Sequence, residues 1–168
     1  MKRLLLIRHA KSSWDDPTLP DFDRPLNKRG QRDAPRMAQR LKERSIHPDV
    51  LITSPAARAL ATCQAMASVM RFEAQRIHYE PKLYHADEHQ LLAVVQSLPD
   101  LPDQDEVVLL FGHNPGLTDF ANRLFSVDIP NIPTAGVVAG EVRVLKWKDT
   151  EWGDGRFEWF DIPKSKDD

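Results

Sequence analysis

Short apolar runs and helix-spaced apolar residues alternate along this chain. Residues 3–7 form an apolar run that ends abruptly in charge at Arg8, which is typical of a buried strand. Similar runs predict three more strands, at residues 50–53, 77–80 and 107–111. Residues 137–147 and 157–162 predict a closing hairpin, with residues 153–155 (Gly-Asp-Gly) in its turn.

The first predicted helix ends near Arg44 and carries apolar residues at helical spacing, namely Ala34, Met37, Ala38 and Leu41. Its start has two interpretations, because a proline is favoured only in the first turn of a helix. In one, Asp33 caps the helix and Pro35 lies in the first turn. In the other, the helix begins near Asn27 and is kinked at Pro35.

Helix-start signals follow three of the strands. Ser54-Pro55 pairs a capping hydroxyl with a proline at the first helical position, and this helix should continue to about Met70. Asp87 is predicted to cap a third helix, and a short fourth helix follows Gly116. The intervening residues 10–27 hold three prolines and four aspartates, which is typical of a long loop over the strand ends.

Strands that alternate with helices predict an α/β fold, a three-layer α/β/α sandwich with a mainly parallel sheet. The length of 168 residues suits one domain over residues 1–168. Ligands of such folds bind outside the carboxyl ends of the strands. The polar residues that directly follow the apolar runs are therefore the first candidates for a functional site.

Composition narrows the classes of function. A formal net charge of −2 argues against a nucleic-acid or membrane-surface protein, where a basic excess is expected. The N-terminal apolar run is too short for a signal peptide, and no run could cross a bilayer, so we expect a cytoplasmic protein. Cys63, the only cysteine, falls in a predicted helix, and we interpret it as a core residue.

Cationic and imidazole side chains follow three strands. Arg8-His9 follows the first strand, Arg58 lies in the first turn of the helix after the second, and His113 follows the strand at residues 107–111. A cation such as Arg58 in the first turn of a helix interacts unfavourably with the helix macrodipole, by about 0.3–1 kcal/mol. An anion bound at this position would interact favourably with both the macrodipole and the guanidinium of Arg58. Since a guanidinium matches phosphate oxygens in bidentate fashion, two arginines predict a dianionic ligand such as a phosphoryl group.

A nucleophile fits the same set of residues. Two nearby arginines would lower the pKa of a histidine and keep a ring nitrogen free to attack. Histidines also bind metals, but two histidines flanked by two arginines would repel a cation. We therefore expect neither a metal nor an organic cofactor.

Four segments, in this order, resemble the histidine phosphatase superfamily and its short SixA-like phosphohistidine phosphatases. They are Leu4-Leu5-Leu6-Ile7-Arg8-His9-Ala10-Lys11, Arg24-Pro25-Leu26, Thr53-Ser54-Pro55 with Arg58, and Gly112-His113-Asn114-Pro115. Ala10 stands where the family usually has glycine. The resemblance extends from residue 3 to about residue 145 and implies a phosphoglycerate mutase-like fold.

The resemblance also implies a mechanism. His9 would accept the phosphoryl group and water would then release phosphate, while Arg8, Arg58 and His113 hold the equatorial oxygens. Arg24 is expected to bind substrate, although it can equally be an ordinary loop cation. Asn114 lies in the last matching segment and is a second expected substrate-binding residue.

The proton donor is less well defined by the sequence. Larger members of the superfamily carry an acidic residue after the third strand, and His85 occupies that position here. Asp87 fits better as a helix cap. Asp21 and Asp23 precede Arg24, and Asp21 has the spacing seen in SixA-like chains. His85 and Asp21 are therefore the two candidate proton donors.

Three functions stay open on these residues. The leading hypothesis is a phosphatase acting on phosphohistidine of a partner protein, because the P–N bond breaks with imidazole as the leaving group and needs no strong acid. The second is a phosphomonoesterase for a small metabolite that uses His85 or an aspartate as the acid. The third is a phosphate-binding regulatory module, against which the nucleophile His9 argues. Mutase activity is disfavoured by the short chain and the absence of the usual acid.

Overall fold

The structure is a computed structural model that describes residues 1–102 and 105–163. The strands are β1 (Lys2–Arg8), β2 (Val50–Thr53), β3 (His78–Tyr79), β4 (Glu106–Gly112), β5 (Val137–Val142) and β6 (Gly155–Asp161). The helices are α1 (Lys28–Glu43), α2 (Ala57–Val69), α3 (Glu88–Gln96) and α4 (Gly116–Phe125). None of the helices in the described ranges has the length and apolar character needed to cross a membrane.

The six strands form one sheet in the order β3-β2-β4-β1-β5-β6. The strands β1 to β4 are parallel, and β5 is antiparallel to both of its neighbours. Alternate residues of β1 enter separate cores: Leu4 and Leu6 on the face covered by α3 and α4, Leu5 and Ile7 on the face covered by α1 and α2. The predicted three-layer α/β/α sandwich is confirmed.

The sheet order places three strand ends side by side. β4 lies between β1 and β2, with Arg8 paired to Gly112 and Thr53 paired to Phe111. The residues that follow β1, β2 and β4 therefore meet at one edge of the sheet, as the strand-end argument predicted.

Two helix starts confirm predictions. Asn27 caps α1 and accepts a hydrogen bond from Gly30 N at 2.8 Å, so the helix runs through Pro35. This is the second of the two interpretations. Asp87 caps α3 through a capping box with Gln90.

Three predicted boundaries are wrong. The residue that caps α2 is Ala56, not Ser54, because the Ser54 hydroxyl accepts from Ala56 N, before the helix begins, and also faces His113. The strand predicted at residues 77–80 shortens to the two-residue edge strand β3. β5 ends at Val142, and residues 143–154 form a long connection in which the buried Trp147 starts a 3₁₀ turn.

Candidate active site

The backbone after β1 is held by two neighbouring segments. His9 N donates to Gly112 O at 3.1 Å, and Arg8 N donates to Gly136 O at 3.1 Å. Ala135 N lies 3.1 Å from the carbonyl oxygens of both Arg8 and His9. The direction in which these two side chains leave the sheet is therefore fixed from both sides.

The ring of His9 is buried and oriented by its own backbone. Its Nδ1 lies 2.7 Å from Ala10 O, which can only accept, so Nδ1 carries the proton and Nε2 carries a lone pair. Burial is the main cause that lowers the pKa of His9 to about 4, and the positive charges of Arg58, Arg8 and Arg24 lower it further. His9 is therefore a neutral imidazole at physiological pH, with Nε2 free to act as a nucleophile.

Two guanidinium groups lie beside this ring, those of the half-buried Arg8 and the buried Arg58. Arg8 Nη1 donates to Ile132 O at 3.0 Å, and Arg58 Nη1 donates to Asp21 O at 2.8 Å. The Nε atoms of Arg8 and Arg58 are buried and have no hydrogen-bond partner among the described residues. Burial and the charge of Arg58 lower the pKa of Arg8. An anion bound here would relieve both the repulsion and the unmet hydrogen bonds.

Arg24 comes from the long loop and joins the same cluster. It is 7% exposed, and its Nη1 donates to Ser12 Oγ at 2.8 Å. Its charge acts on His9, and its guanidinium stacks on the ring of Trp14 at 3.6 Å. Of the two interpretations given to Arg24, the structure therefore places it at the site and not as a solvated loop cation.

Asp21 is the carboxylate in contact with Arg24 and Arg58. Its Oδ1 accepts from Arg24 Nε at 3.2 Å, and its Oδ2 accepts from Arg58 Nη2 at 3.1 Å and from the Tyr84 hydroxyl at 2.6 Å. The Tyr84 hydrogen bond, followed by the charges of Arg58 and Arg24, holds the pKa of Asp21 well below its usual range. The carboxylate is therefore ionised in this arrangement, which does not favour its predicted role as the acid.

His113 faces His9 across the site, with ring centroids 5.3 Å apart. Its Nε2 lies 2.7 Å from Ser54 Oγ, and its Nδ1 is buried without a partner among the described residues. Burial first, and then the nearby His9 and Arg58, lower the pKa of His113 to about 3. The second histidine is therefore also neutral.

The remaining two predicted site residues have different surroundings. His85 is exposed, stacks on Tyr84 at 3.9 Å between centroids, and lines a cavity of about 170 Å³ together with His113. The Asn114 amide instead donates to Asn131 Oδ1 and Ile132 O, and its oxygen accepts from Thr118. All of its hydrogen-bonding positions are used within the protein, so the expectation that this side chain binds substrate does not hold in this arrangement.

Several residues of the site were not found from the sequence. Tyr84 contacts Asp21, and Thr62 Oγ1 links the backbone after β1 to α2, accepting from Ala10 N at 2.9 Å and donating to Arg58 O at 2.7 Å. These side chains reach the site through loop and helix packing that no local motif encodes. Only Ser54 could have been recognised from the sequence, because it directly follows a predicted strand, but we interpreted it as a helix cap.

Potential metal ligands do not cluster in the described part of the chain. Within residues 1–102 and 105–163, no three His, Cys, Asp or Glu side chains are arranged to hold a metal ion. Cys63 is fully buried, and burial raises the pKa of its thiol to about 12, which agrees with its interpretation as a core residue.

Two known proteins have sequences similar to parts of this chain. A chloroplastic protein of Arabidopsis thaliana is 35% identical over 137 residues, which are 76% of this chain and 61% of that protein. Phosphoglycerate mutase 1 of Saccharomyces cerevisiae is 41% identical over 64 residues, 37% of this chain and 26% of the mutase. The chain thus aligns with less than two thirds of either relative.

Solved structures match over the whole length. A SixA protein of Agrobacterium tumefaciens, a candidate phosphohistidine phosphatase, superposes with a TM-score of 0.80 at 28% identity, covering 96% of this chain and 97% of that one. The protein histidine phosphatase SixA complexed with tungstate matches with a TM-score of 0.78 at 22% identity and the same coverage, which shows the shared fold. The family model of the histidine phosphatase superfamily (branch 1) matches residues 4–88, and this chain belongs to that family.

Proposed function

We propose that this protein is a phosphatase that takes the phosphoryl group of its substrate onto Nε2 of His9. The observation that carries the proposal is the neutral His9 ring, fixed through Nδ1, beside two guanidinium groups whose Nε atoms are buried and unpaired among the described residues. A nucleophile and an anion-binding cluster are both needed for covalent phosphoryl transfer.

The reaction proceeds in two displacements. His9 Nε2 forms a bond to phosphorus while the bond to the leaving group breaks, and the electron pair leaves with that group. Water then attacks phosphorus, the P–Nε2 bond breaks, and inorganic phosphate forms as the water loses a proton. Arg8, Arg58 and His113 stabilise the charge on the equatorial oxygens in both steps.

Protein phosphohistidine is the proposed substrate class. Asp21 is ionised by its contacts with Tyr84, Arg24 and Arg58, so it does not supply the proton that an alkoxide leaving group requires. The ring of a phosphohistidine that is protonated on its second nitrogen leaves as neutral imidazole and needs no acid from the enzyme. Two exposed carboxylates, Asp87 and Asp119, line the cavity next to His113 and disfavour small substrates that carry a carboxylate.

One observation favours a second candidate, a phosphomonoesterase for a small metabolite. His85 lines the same cavity as His113, whose ring lies next to His9, so this cavity is the proposed location of the leaving group. A protonated His85 there would assist the departure of an alkoxide.

A turnover assay separates these functions. Release of phosphate should be measured from a phosphohistidine-bearing protein and from a panel of phosphate esters that includes phosphoglycerate, each with and without excess chelator. We expect preferential hydrolysis of phosphohistidine, unaffected by chelation and inhibited by vanadate. Hydrolysis of esters alone would favour the second candidate. Oxyanion binding without any turnover would favour a regulatory module, and chelator sensitivity reversed by a divalent ion would refute the metal-free mechanism.

A further inference from the structure

Ser54 lies in a rigid position between two elements of the site. Ser54 is completely buried directly after β2, and its backbone N donates to Phe111 O at 3.1 Å. Its hydroxyl oxygen accepts from Ala56 N at 3.2 Å, immediately before α2, and lies 2.7 Å from Nε2 of His113. The hydroxyl therefore connects the start of α2 to the second histidine.

The proton between Ser54 and His113 has two possible positions. If His113 Nε2 carried it, the Ser54 hydroxyl hydrogen would have no acceptor among the described residues, and Nδ1 would be a buried lone pair without a donor. If Ser54 donates instead, its hydroxyl is satisfied both as donor and as acceptor, and Nδ1 carries the hydrogen. Each buried polar group without a partner costs free energy, and the second arrangement leaves only the Nδ1–H without one among the described residues, so it is favoured.

The free N–H in that arrangement has a chemical use. The His113 ring lies next to His9, and it is near enough to Arg58 for the guanidinium charge to lower the pKa of His113. An Nδ1–H there is a hydrogen-bond donor for an oxygen of the transferring phosphoryl group, whereas a lone pair would repel the same oxygen. The tautomer of His113 therefore decides whether the ring stabilises or opposes the anion.

We propose that Ser54 is a positioning residue that fixes His113 as the tautomer with hydrogen on Nδ1, so that Nδ1–H points at the bound phosphoryl group. The inference rests on the proposed function for its catalytic meaning but concerns a separately measurable property. It also accounts for the position of Ser54, whose hydroxyl contacts a histidine and the residue before α2, but not the first turn of the helix that it was expected to cap.

The test is ring-nitrogen NMR on protein labelled with ¹⁵N-histidine, with the His113 signals assigned by a His113→Gln variant. In the wild-type protein we expect a protonated Nδ1 and an unprotonated Nε2 on His113. Ser54→Ala should move this pattern towards the other tautomer and weaken vanadate binding and turnover by about 10- to 100-fold, the scale of a lost oxyanion donor or somewhat less. Ser54→Thr, which keeps the hydroxyl, should restore both.

Thr53→Val is the matched control, because it removes the neighbouring buried hydroxyl, which donates to Ser54 O at 3.0 Å and does not contact His113. It should leave the His113 tautomer unchanged. A wild-type His113 protonated on Nε2 would overturn the proposal even if the Ser54→Ala variant failed to fold. So would a folded Ser54→Ala variant with unchanged tautomer and vanadate affinity. Absence of turnover in a wild-type protein that has the expected tautomer would instead refute the proposed function alone.

Discussion

At the scale of single residues, the site holds more positive than negative charge. Arg8, Arg24 and Arg58 are all at least partly buried beside His9, and the carboxylate that contacts two of them is Asp21. In the proposed reaction, the negative charge of the phosphoryl group would replace that of Asp21 beside Arg24 and Arg58. The carboxylate is thus an internal counter-ion that competes with the substrate for Arg24 and Arg58.

Removal of that charge should strengthen anion binding. Asp21→Asn keeps the size of the side chain but leaves both guanidiniums without a counter-ion, and we expect vanadate to bind several-fold to about tenfold more tightly. Isothermal titration would measure the change. Asp23→Asn, at an exposed position in the same 3₁₀ turn, is the control and should have little effect. Weaker binding in Asp21→Asn would mean that this carboxylate orients the arginines more than it competes with the anion.

At the scale of elements, the site depends on close contact between α4 and the segment before α3. Gly116 begins α4 and packs against the backbone carbonyl of Ala86, where a Cβ atom would clash. The contact sets the position of His85 next to His113. A glycine is required here by close approach and not by a positive φ.

Gly116→Ala should therefore destabilise the protein by about 1–3 kcal/mol despite the better helix propensity of alanine. Gly112→Ala is the matched control, because its Cβ would meet Leu117 Cδ1 at 3.7 Å and Leu110 Cδ2 at 3.8 Å, both ordinary contacts. Urea denaturation of the two variants would measure the difference. Equal stability of Gly116→Ala and the wild type would show that the segment moves away at little cost.

The elements themselves were largely predictable because their signals are local. Apolar runs located β1, β2 and β4 within a residue or two, and parallel strand ends then brought Arg8, His9 and His113 together. The contacts of Asp21 with Tyr84 and Arg58 were not predictable, since they depend on how the loop at residues 10–27 folds over the sheet. Ser54 was misinterpreted because its hydroxyl could contact either the following helix or His113, and only the helix is adjacent to Ser54 in the sequence.

At the scale of the whole molecule, the net charge of −2 contrasts with the cationic site. Anion binding therefore depends on a local cluster at one edge of the sheet and not on the overall field. Burial at this edge of the sheet also keeps His9 and His113 neutral. The stability of the fold therefore depends on the protonation state of these two residues of the site.

That link predicts a pH dependence of stability. His9 and His113 have folded-state pKa values of about 4 and about 3, against about 6.5 in the unfolded chain. Between these values the unfolded state binds more protons, so the free energy of unfolding should decrease as the pH falls from about 6.5 towards 4. We expect a loss on the order of 4 kcal/mol between pH 7 and pH 5, about 2 kcal/mol from each histidine.

Urea denaturation at pH 7 and pH 5, at constant ionic strength, would measure this loss. The carboxylates with lowered pKa values contribute mainly at lower pH, so this interval isolates the histidines. His9→Ala removes one of the two groups and should reduce the dependence by about half. Equal stability at the two pH values would contradict the neutral, buried state of the histidine pair.

Trapping of the phosphoenzyme tests the central claim most directly. The protein should be mixed with a ³²P-labelled phosphohistidine protein, quenched without acid and digested, and the labelled peptide identified by mass spectrometry. We predict an acid-labile phosphate on His9, and in His9→Ala no label and a turnover lower by orders of magnitude, while vanadate still binds. Phosphate on another residue, or near-normal turnover by His9→Ala, would contradict covalent catalysis by His9.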